Sequence, residues 1–75
     1  MSSTIDTLRR MANDIARNLA SMGHEKAVLA TAGHIDRFWD PRMRTAIFAA
    51  DLSSLSPIAR EAIEKLKIEA RKSAA

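Results

Sequence analysis

The residues best suited to chemistry are concentrated in one short segment. "FWDPRMR", residues 38–44, contains two of the three aromatic residues, one of the two prolines and two of the eight arginines. Arginine guanidinium groups suit bidentate contacts with carboxylate or phosphate. Tryptophan and arginine are also the residue types enriched at binding hot spots. The segment therefore predicts recognition of a partner or of an anion.

The two arginines of this segment do not point in the same direction. Arg42 and Arg44 are two positions apart, so on a helix they point about 200° away from each other. We expect Arg44 to pair with Asp40, one turn before it. Arg42 would lie at the positive end of a helix dipole, where a cation is less favourable than a neutral residue by about 0.3–1 kcal/mol of stability. Either Asp36 or Asp40 offsets this cost, or Arg37 and Arg42 await an anion or a partner's carboxylate.

The neighbouring aromatic and histidine residues allow two interpretations each. Phe38 and Trp39 differ in direction by about 100° on a helix, so both could be core, or Trp39 could be an anchor at the rim of an interface. His34 is either a half-buried ring that packs at the edge of the core or a partner contact. His24 follows Gly23 and is expected to interact with exposed carbonyls at a helix end.

Catalytic and metal chemistry find no support in the residue pattern. There is no nucleophile-and-base arrangement, no glycine-rich phosphate loop and no paired-carboxylate motif. The chain has no cysteine and only two histidines, so thiolate metal sites and disulfides are excluded. We expect a protein that is not an enzyme and binds no metal.

Four helices, and no strand, would carry these residues. The first opens at Ser3, in the capping-box sequence "STID", and ends at Gly23. Its solvated side is expected to carry the i,i+4 ion pairs Asp6–Arg10 and Arg10–Asp14. Its buried face is predicted from apolar residues three and four positions apart: Ile5, Leu8, Ala12, Ile15, Leu19 and Met22.

The second helix is predicted from about Glu25 to Trp39, antiparallel to the first because the connection is short. Asp40 and Pro41 end it and start the next helix, since aspartate is a good N-cap and proline a good first helical residue. The buried stripe of the second helix is predicted to contain Val28, Thr31, Ala32, Ile35, Phe38 and Trp39.

The third helix is predicted over roughly residues 41–51, and the fourth opens at Ser56-Pro57. Glu61–Lys65 and Lys65–Glu69 are expected ion pairs of the fourth helix. The residues predicted to face inward are Met43, Ala46, Ile47 and Ala50 in the third helix, and Ile58, Ala62, Ile63, Leu66 and Ala70 in the fourth. The predicted fold is an all-α, single-domain bundle of four short helices over residues 1–75, with an ordered core at about 4–70 and a frayed tail at 71–75.

Composition limits the class of protein. A chain of 75 residues has a small core, so tight helix packing, self-association as a homodimer or a larger partner must support the fold. The net charge of +3 and pI near 10.0 permit nucleic acid or an acidic protein as partner and demand neither. The N-terminus lacks a secretory pattern, and no run approaches the length of a membrane span, so a cytoplasmic location is expected.

A nucleic-acid interpretation is the alternative. Helices two and three could form a helix-turn-helix with "PRMRTAIFAADL" as recognition helix. That helix has only two basic residues and no Asn or Gln to read base edges, which disfavours the alternative.

Three segments together carry a family resemblance: "LRRMANDIARN" (8–18), "HIDRFWDPRMR" (34–44) and "LSPIAREAI" (55–63). In order and spacing they resemble the delta subunit of NAD-dependent, molybdenum-containing formate dehydrogenases. The sequence departs from the family pattern at Asp14, where Gln is expected, near Leu19, where an aromatic is common, and at Ser56, which replaces a commoner acid.

The resemblance implies an accessory subunit that holds no cofactor of its own. In such complexes the large subunits bind molybdopterin guanine dinucleotide, iron–sulfur clusters, FMN and NAD, and oxidise formate. The delta subunit is implicated in assembly or stability of the complex and in insertion of the molybdenum cofactor. Its expected partners are the catalytic subunit and a cofactor-insertion chaperone. The recognition surface, for a partner or an anion, is predicted at Arg37, Trp39, Arg42, Arg44 and His34.

Overall fold

The computed structural model describes residues 4–74, and all of their regular secondary structure is helical. This confirms the all-α prediction. The predicted N-cap, Ser3, lies outside the described residues. The elements are α1 (Thr4–Leu19), a 3₁₀ turn (Ala20–Met22), α2 (His24–Phe38), α3 (Pro41–Ala49) and α4 (Pro57–Ala74).

Helix α1 buries a narrow face. Leu8, Ala12 and Ala16 are buried at four-residue spacing, so small side chains let α1 lie close to its neighbours. Met22 was predicted on this face, but it is 47% exposed because it lies in the 3₁₀ turn, where the helical spacing no longer applies.

The ion pairs of α1 differ from those predicted. Arg9 pairs with Asp6 at 3.2 Å and Arg17 pairs with Asp14, so both pairs have i,i+3 spacing. Arg10 was predicted to bridge the two acids and is exposed instead. Residues three and four positions apart are both neighbours on a helix surface, so the sequence alone does not determine which pair forms.

Gly23 makes the turn into α2. Its φ of +95° and ψ of 151° are accessible essentially only to glycine, and its N–H donates to the Ala20 carbonyl at 3.2 Å. The first helix was predicted to end at Gly23; the α-helix ends at Leu19, and the 3₁₀ turn that follows ends at Met22. The φ of Gly23 is the single positive φ within residues 4–74.

Helices α2 and α4 run side by side in the same direction. Near their starts, the imidazole of His24 contacts the carboxylate of Glu61. Near their ends, Asp36 and Ser73 line the same cleft. Since α4 starts at the same end of the bundle as α2, the chain between Trp39 and Ser56, which includes α3, returns along the bundle.

The contact with His24 corrects the predicted ion pairs of α4. Glu61 bonds to His24 rather than to Lys65, whereas the predicted Lys65–Glu69 pair is present at 3.3 Å.

The core is formed by all four helices and the two segments that connect α2, α3 and α4. Thr31 is the one buried polar residue among the described residues, as its place in the predicted stripe requires. Ala70, predicted to face inward, is exposed near the end of α4. The core cluster consists of Leu8, Ala12, Ala16, Ala32, Ile35, Trp39, Ile47, Leu55, Ala59, Ala62, Ile63 and Leu66.

Helix α1 also holds the loop between α3 and α4. The Arg9 guanidinium donates to the backbone carbonyl of Asp51 from Nε at 3.2 Å and from Nη2 at 3.0 Å. The Asn13 side-chain oxygen accepts the backbone N–H of Ser56 at 2.9 Å. Two α1 side chains therefore set the position where α4 begins.

Candidate recognition surface

The corner between α2 and α3 is built from an N-cap and a proline. A carboxylate oxygen of Asp40 accepts the backbone N–H of Met43 at 3.0 Å, and Pro41 is the first residue of α3. Both features were predicted, and they are confirmed. The corner brings the last turn of α2 and the first turn of α3 together.

Trp39 lies in the core. It follows the last helical residue of α2, with an extended backbone (φ −85°, ψ 136°), and its N–H still donates to the Ile35 carbonyl at 3.0 Å. The side chain is 5% exposed and belongs to the core cluster. Of its two predicted roles, core residue and rim anchor, the structure shows the core residue.

Phe38 was predicted to be buried, and this is wrong. It is the last residue of α2 and is 68% exposed. Its ring contacts the ring of His34, with centroids 4.7 Å apart and planes tilted by 44°. His34 is itself exposed rather than half-buried. The two rings, at i and i+4, contact each other in a tilted arrangement at the exposed end of α2.

Arg44 pairs with Asp36 rather than with the predicted Asp40. Its Nη1 lies 3.0 Å from the Asp36 carboxylate and also donates to the Asp36 backbone carbonyl at 3.2 Å. That carbonyl is one of the last four of α2, which lack a partner inside the helix. The Asp40 carboxylate caps α3 by accepting the Met43 N–H.

The Asp36–Arg44 pair lies on the wall of an open cleft of about 610 Å³ between the corner and the end of α4. The cleft is lined by Asp36, Pro41, Arg44, Thr45, Phe48, Leu66, Glu69, Ala70 and Ser73. Its charged groups are already paired, Asp36 with Arg44 and Glu69 with Lys65. Among the described residues that line the cleft, no charged group is unpaired.

Arg37 and Arg42 are exposed and make no ion pair or hydrogen bond with the part of the chain that the structure describes. Viewed along the axis of α2, Arg37 lies about 60° to one side of His34, and Phe38 lies about 40° to the other side. Asp36 lies about 200° from Phe38, on the other side of the helix. We call the surface formed by His34, Arg37 and Phe38 the Phe38 patch; Arg42 follows it at the start of α3.

The five predicted site residues thus separate into four environments. His34 and Arg37 share the Phe38 patch, and Arg42 is exposed on α3. Arg44 lies on the opposite side, bound to Asp36, and Trp39 is buried. Sequence reasoning missed Phe38 as a surface residue. The available signal was its position immediately before a helix stop, where the next residue leaves the helical path.

Within residues 4–74, no group of three or more histidine and acidic side chains could hold a metal ion. One shifted pKa stands out: the carboxyl of Asp51 has a lowered pKa, chiefly because it accepts hydrogen bonds from Ser53. Asp51 lies in the loop after α3 and does not belong to the Phe38 patch. None of the described helices has the length and apolar character to cross a membrane.

Fold and surface together define a small all-helical protein with an exposed aromatic and basic patch at one helix end. The family model described as "NADH-dependant formate dehydrogenase delta subunit FdsD" matches residues 7–63, and the chain belongs to this family. The matched region includes all of α2 and α3. No curated protein matches the chain, and no solved structure matches it.

Proposed function

We propose that the chain is a non-catalytic accessory subunit of an NAD-dependent, molybdenum-containing formate dehydrogenase in the cytoplasm. It supports assembly or stability of the complex, or insertion of the molybdenum cofactor, through protein contacts made by its helices. Membership of the delta-subunit family supports the assignment of the chain to a formate dehydrogenase complex. The contact role rests on the exposed Phe38 patch and on Arg37 and the adjacent Arg42, which have no partner within residues 4–74.

The cofactors of the complex belong, in this proposal, to its large subunits: molybdopterin guanine dinucleotide, iron–sulfur clusters, FMN and NAD. The residues of this chain do not fit an iron–sulfur cluster, because the sequence contains no cysteine to supply thiolate ligands. We propose the catalytic subunit as the main partner, with a cofactor-insertion chaperone as a second partner during assembly.

A strain that lacks this chain tests the function. We expect its formate dehydrogenase to have lower formate oxidation and a lower molybdenum content per catalytic subunit, and we expect the full-length chain to restore both. Low activity with a normal molybdenum content would assign the chain to complex stability rather than cofactor insertion. Normal activity, normal molybdenum content and an intact complex in the deletion strain would overturn the proposal.

A complemented variant tests the contact role. The Arg37→Ala/Arg42→Ala double variant removes the two exposed arginines of the corner that have no partner among residues 4–74, and Arg10→Ala removes an exposed arginine of α1 as control. We expect the double variant to fold and to restore less formate oxidation than the control. Arg44 is unsuitable for this test because its loss also breaks the contact with Asp36.

A further inference from the structure

We propose that the Phe38 patch binds a protein surface on which carboxylates flank an apolar pocket, with the Phe38 ring inserted into that pocket. The proposal rests on the proposed function, because it assigns this surface to the catalytic subunit of the complex. It adds the chemistry of the contact and the residue at its centre.

The aromatic part of the patch is exposed and held in place. Phe38 has the largest exposed fraction among the large apolar residues described, at 68%. It is carried by a helix, and the His34 ring at 4.7 Å restricts its rotation. An aromatic ring that is already oriented loses little conformational freedom on binding, which favours its use as an anchor.

The charged part of the patch is not neutralised by the chain itself. Of the two acids of the corner, Asp36 pairs with Arg44, and Asp40 accepts the Met43 N–H, a hydrogen bond that does not cancel the charge of the carboxylate. The three arginines of the corner, Arg37, Arg42 and Arg44, outnumber these two acids, so the corner carries a net positive charge. The complementary surface on a partner carries carboxylates.

The shape of the patch favours a protein over a small anion. Sites for small ligands are concave and bring several polar groups together. The patch lies at the exposed end of α2, and its residues do not line the three clefts described on residues 4–74. Arg37 and Arg42 also come from different helices rather than from one loop that surrounds a phosphate.

A second copy of this chain does not fit the patch. A two-fold contact would bring together two copies of the same net positive corner. Like charges would then oppose association.

Co-purification from the deletion strain tests the proposal. Affinity-tagged variants of the full chain are expressed there, and the catalytic subunit recovered per chain is measured by quantitative mass spectrometry. Phe38→Ala should recover about tenfold less catalytic subunit than the wild-type chain. Leu29→Ala, which truncates another exposed side chain of α2, should recover as much as the wild type.

Charge reversal tests the charged part of the contact. Arg37→Glu should reduce recovery more than Arg10→Glu, which changes the net charge equally on α1. The difference should shrink as the salt concentration of the wash rises, because screening weakens exposed charge pairs. Circular dichroism of each purified variant shows whether it is folded, and Phe38→Lys provides a second substitution at the central position.

The outcomes separate this inference from the proposed function. Equal recovery with folded Phe38→Ala, Phe38→Lys and Leu29→Ala would overturn the inference, even if the deletion strain lacks active enzyme. Changes in the amide NMR signals of residues 34–42 on addition of inorganic pyrophosphate would also overturn it, in favour of an anion site. Normal enzyme in the deletion strain would overturn the proposed function, whatever the variants bind.

Discussion

Asp51 stabilises the loop between α3 and α4 through its side chain and its backbone. The carboxylate accepts the Ser53 N–H at 2.9 Å, and the backbone carbonyl accepts two hydrogen bonds from Arg9. Hydrogen bonds from the backbone and side chain of Ser53, followed by the nearby Arg9 charge, hold the pKa of this carboxyl below its ordinary value of 3.8, although desolvation acts in the opposite direction. The folded protein therefore favours the ionised form.

This shift predicts a pH-dependent contribution to stability. Because the folded-state pKa of Asp51 lies below the unfolded value of about 3.8, the contribution is fully present above that pH and is lost as the pH falls through the folded-state pKa. We expect Asp51→Asn to melt at a lower temperature than the wild type at neutral pH, and the gap to narrow below pH 3.8. Thermal unfolding followed by circular dichroism across this range measures the gap.

A direct titration provides the control. The Asp51 side-chain carbon signal, followed by NMR, should titrate below 3.8. A gap between the melting curves that stays constant through the acidic range would contradict the assignment, since the same titration must appear in both measurements.

At the scale of elements, the two glycines occupy different conformations. Gly23 joins the 3₁₀ turn to α2 with a φ of +95°, which side chains with a Cβ rarely adopt. Gly33 lies within α2, and a Cβ added there would meet nothing within 4 Å. The same chemical change at the two positions therefore has opposite expected effects.

Gly23→Ala should lower the free energy of unfolding by roughly 1–3 kcal/mol, because alanine would be strained at this φ. Gly33→Ala should raise it by up to about 1 kcal/mol, since alanine is the better helix former and restricts the unfolded chain. Urea unfolding of the two variants and the wild type measures both. Equal effects would mean that the backbone conformation of the α1–α2 turn differs from the one described.

Helix faces were largely predictable because they depend on local periodicity alone. Leu8, Ala12 and Ile35 are buried as their spacing requires, and Asp40 caps α3 as its residue type suggests. Helix ends were less predictable. Trp39 takes an extended conformation, so the helical angle assigned to it no longer applies, and its side chain enters the core while Phe38 remains outside.

The candidate surface depends on contacts between elements, and these were not predictable from spacing. Arg44 has an acid one turn away, which made a local pair with Asp40 the natural expectation. The corner instead brings Arg44 to the end of α2, where it donates hydrogen bonds to the backbone carbonyl and to the carboxylate of Asp36, eight residues earlier in the chain. The predicted segment was correct in its position along the chain, but its side chains divide between opposite sides of the corner.

At the scale of the whole molecule, the distribution of charge disfavours nucleic-acid binding. A net charge of +3 is small, and several arginines already pair with acids on the same chain. Helix α3, the recognition helix of the alternative interpretation, is nine residues long. Of its two arginines, Arg44 is engaged with Asp36 and only Arg42 extends freely into solvent.

We therefore expect the purified protein to show no retention by random duplex DNA, even at low salt. A protein that neutralises several phosphates would bind at low salt and lose affinity steeply as salt rises, because binding releases counterions. Fluorescence anisotropy of labelled duplex at low and moderate salt measures this. Tight binding at low salt with a steep salt slope would restore the nucleic-acid interpretation.

The burial of Trp39 gives the molecule an optical reporter. It is the chain's one tryptophan, and it lies in the core immediately after the exposed Phe38. Its emission should therefore be blue-shifted in the folded protein and move to longer wavelength only when the core opens to water. A Phe38 variant that no longer binds its partner but keeps this emission unchanged has lost the contact surface and kept its fold. One emission spectrum of the unlabelled protein therefore distinguishes a lost contact from a lost fold.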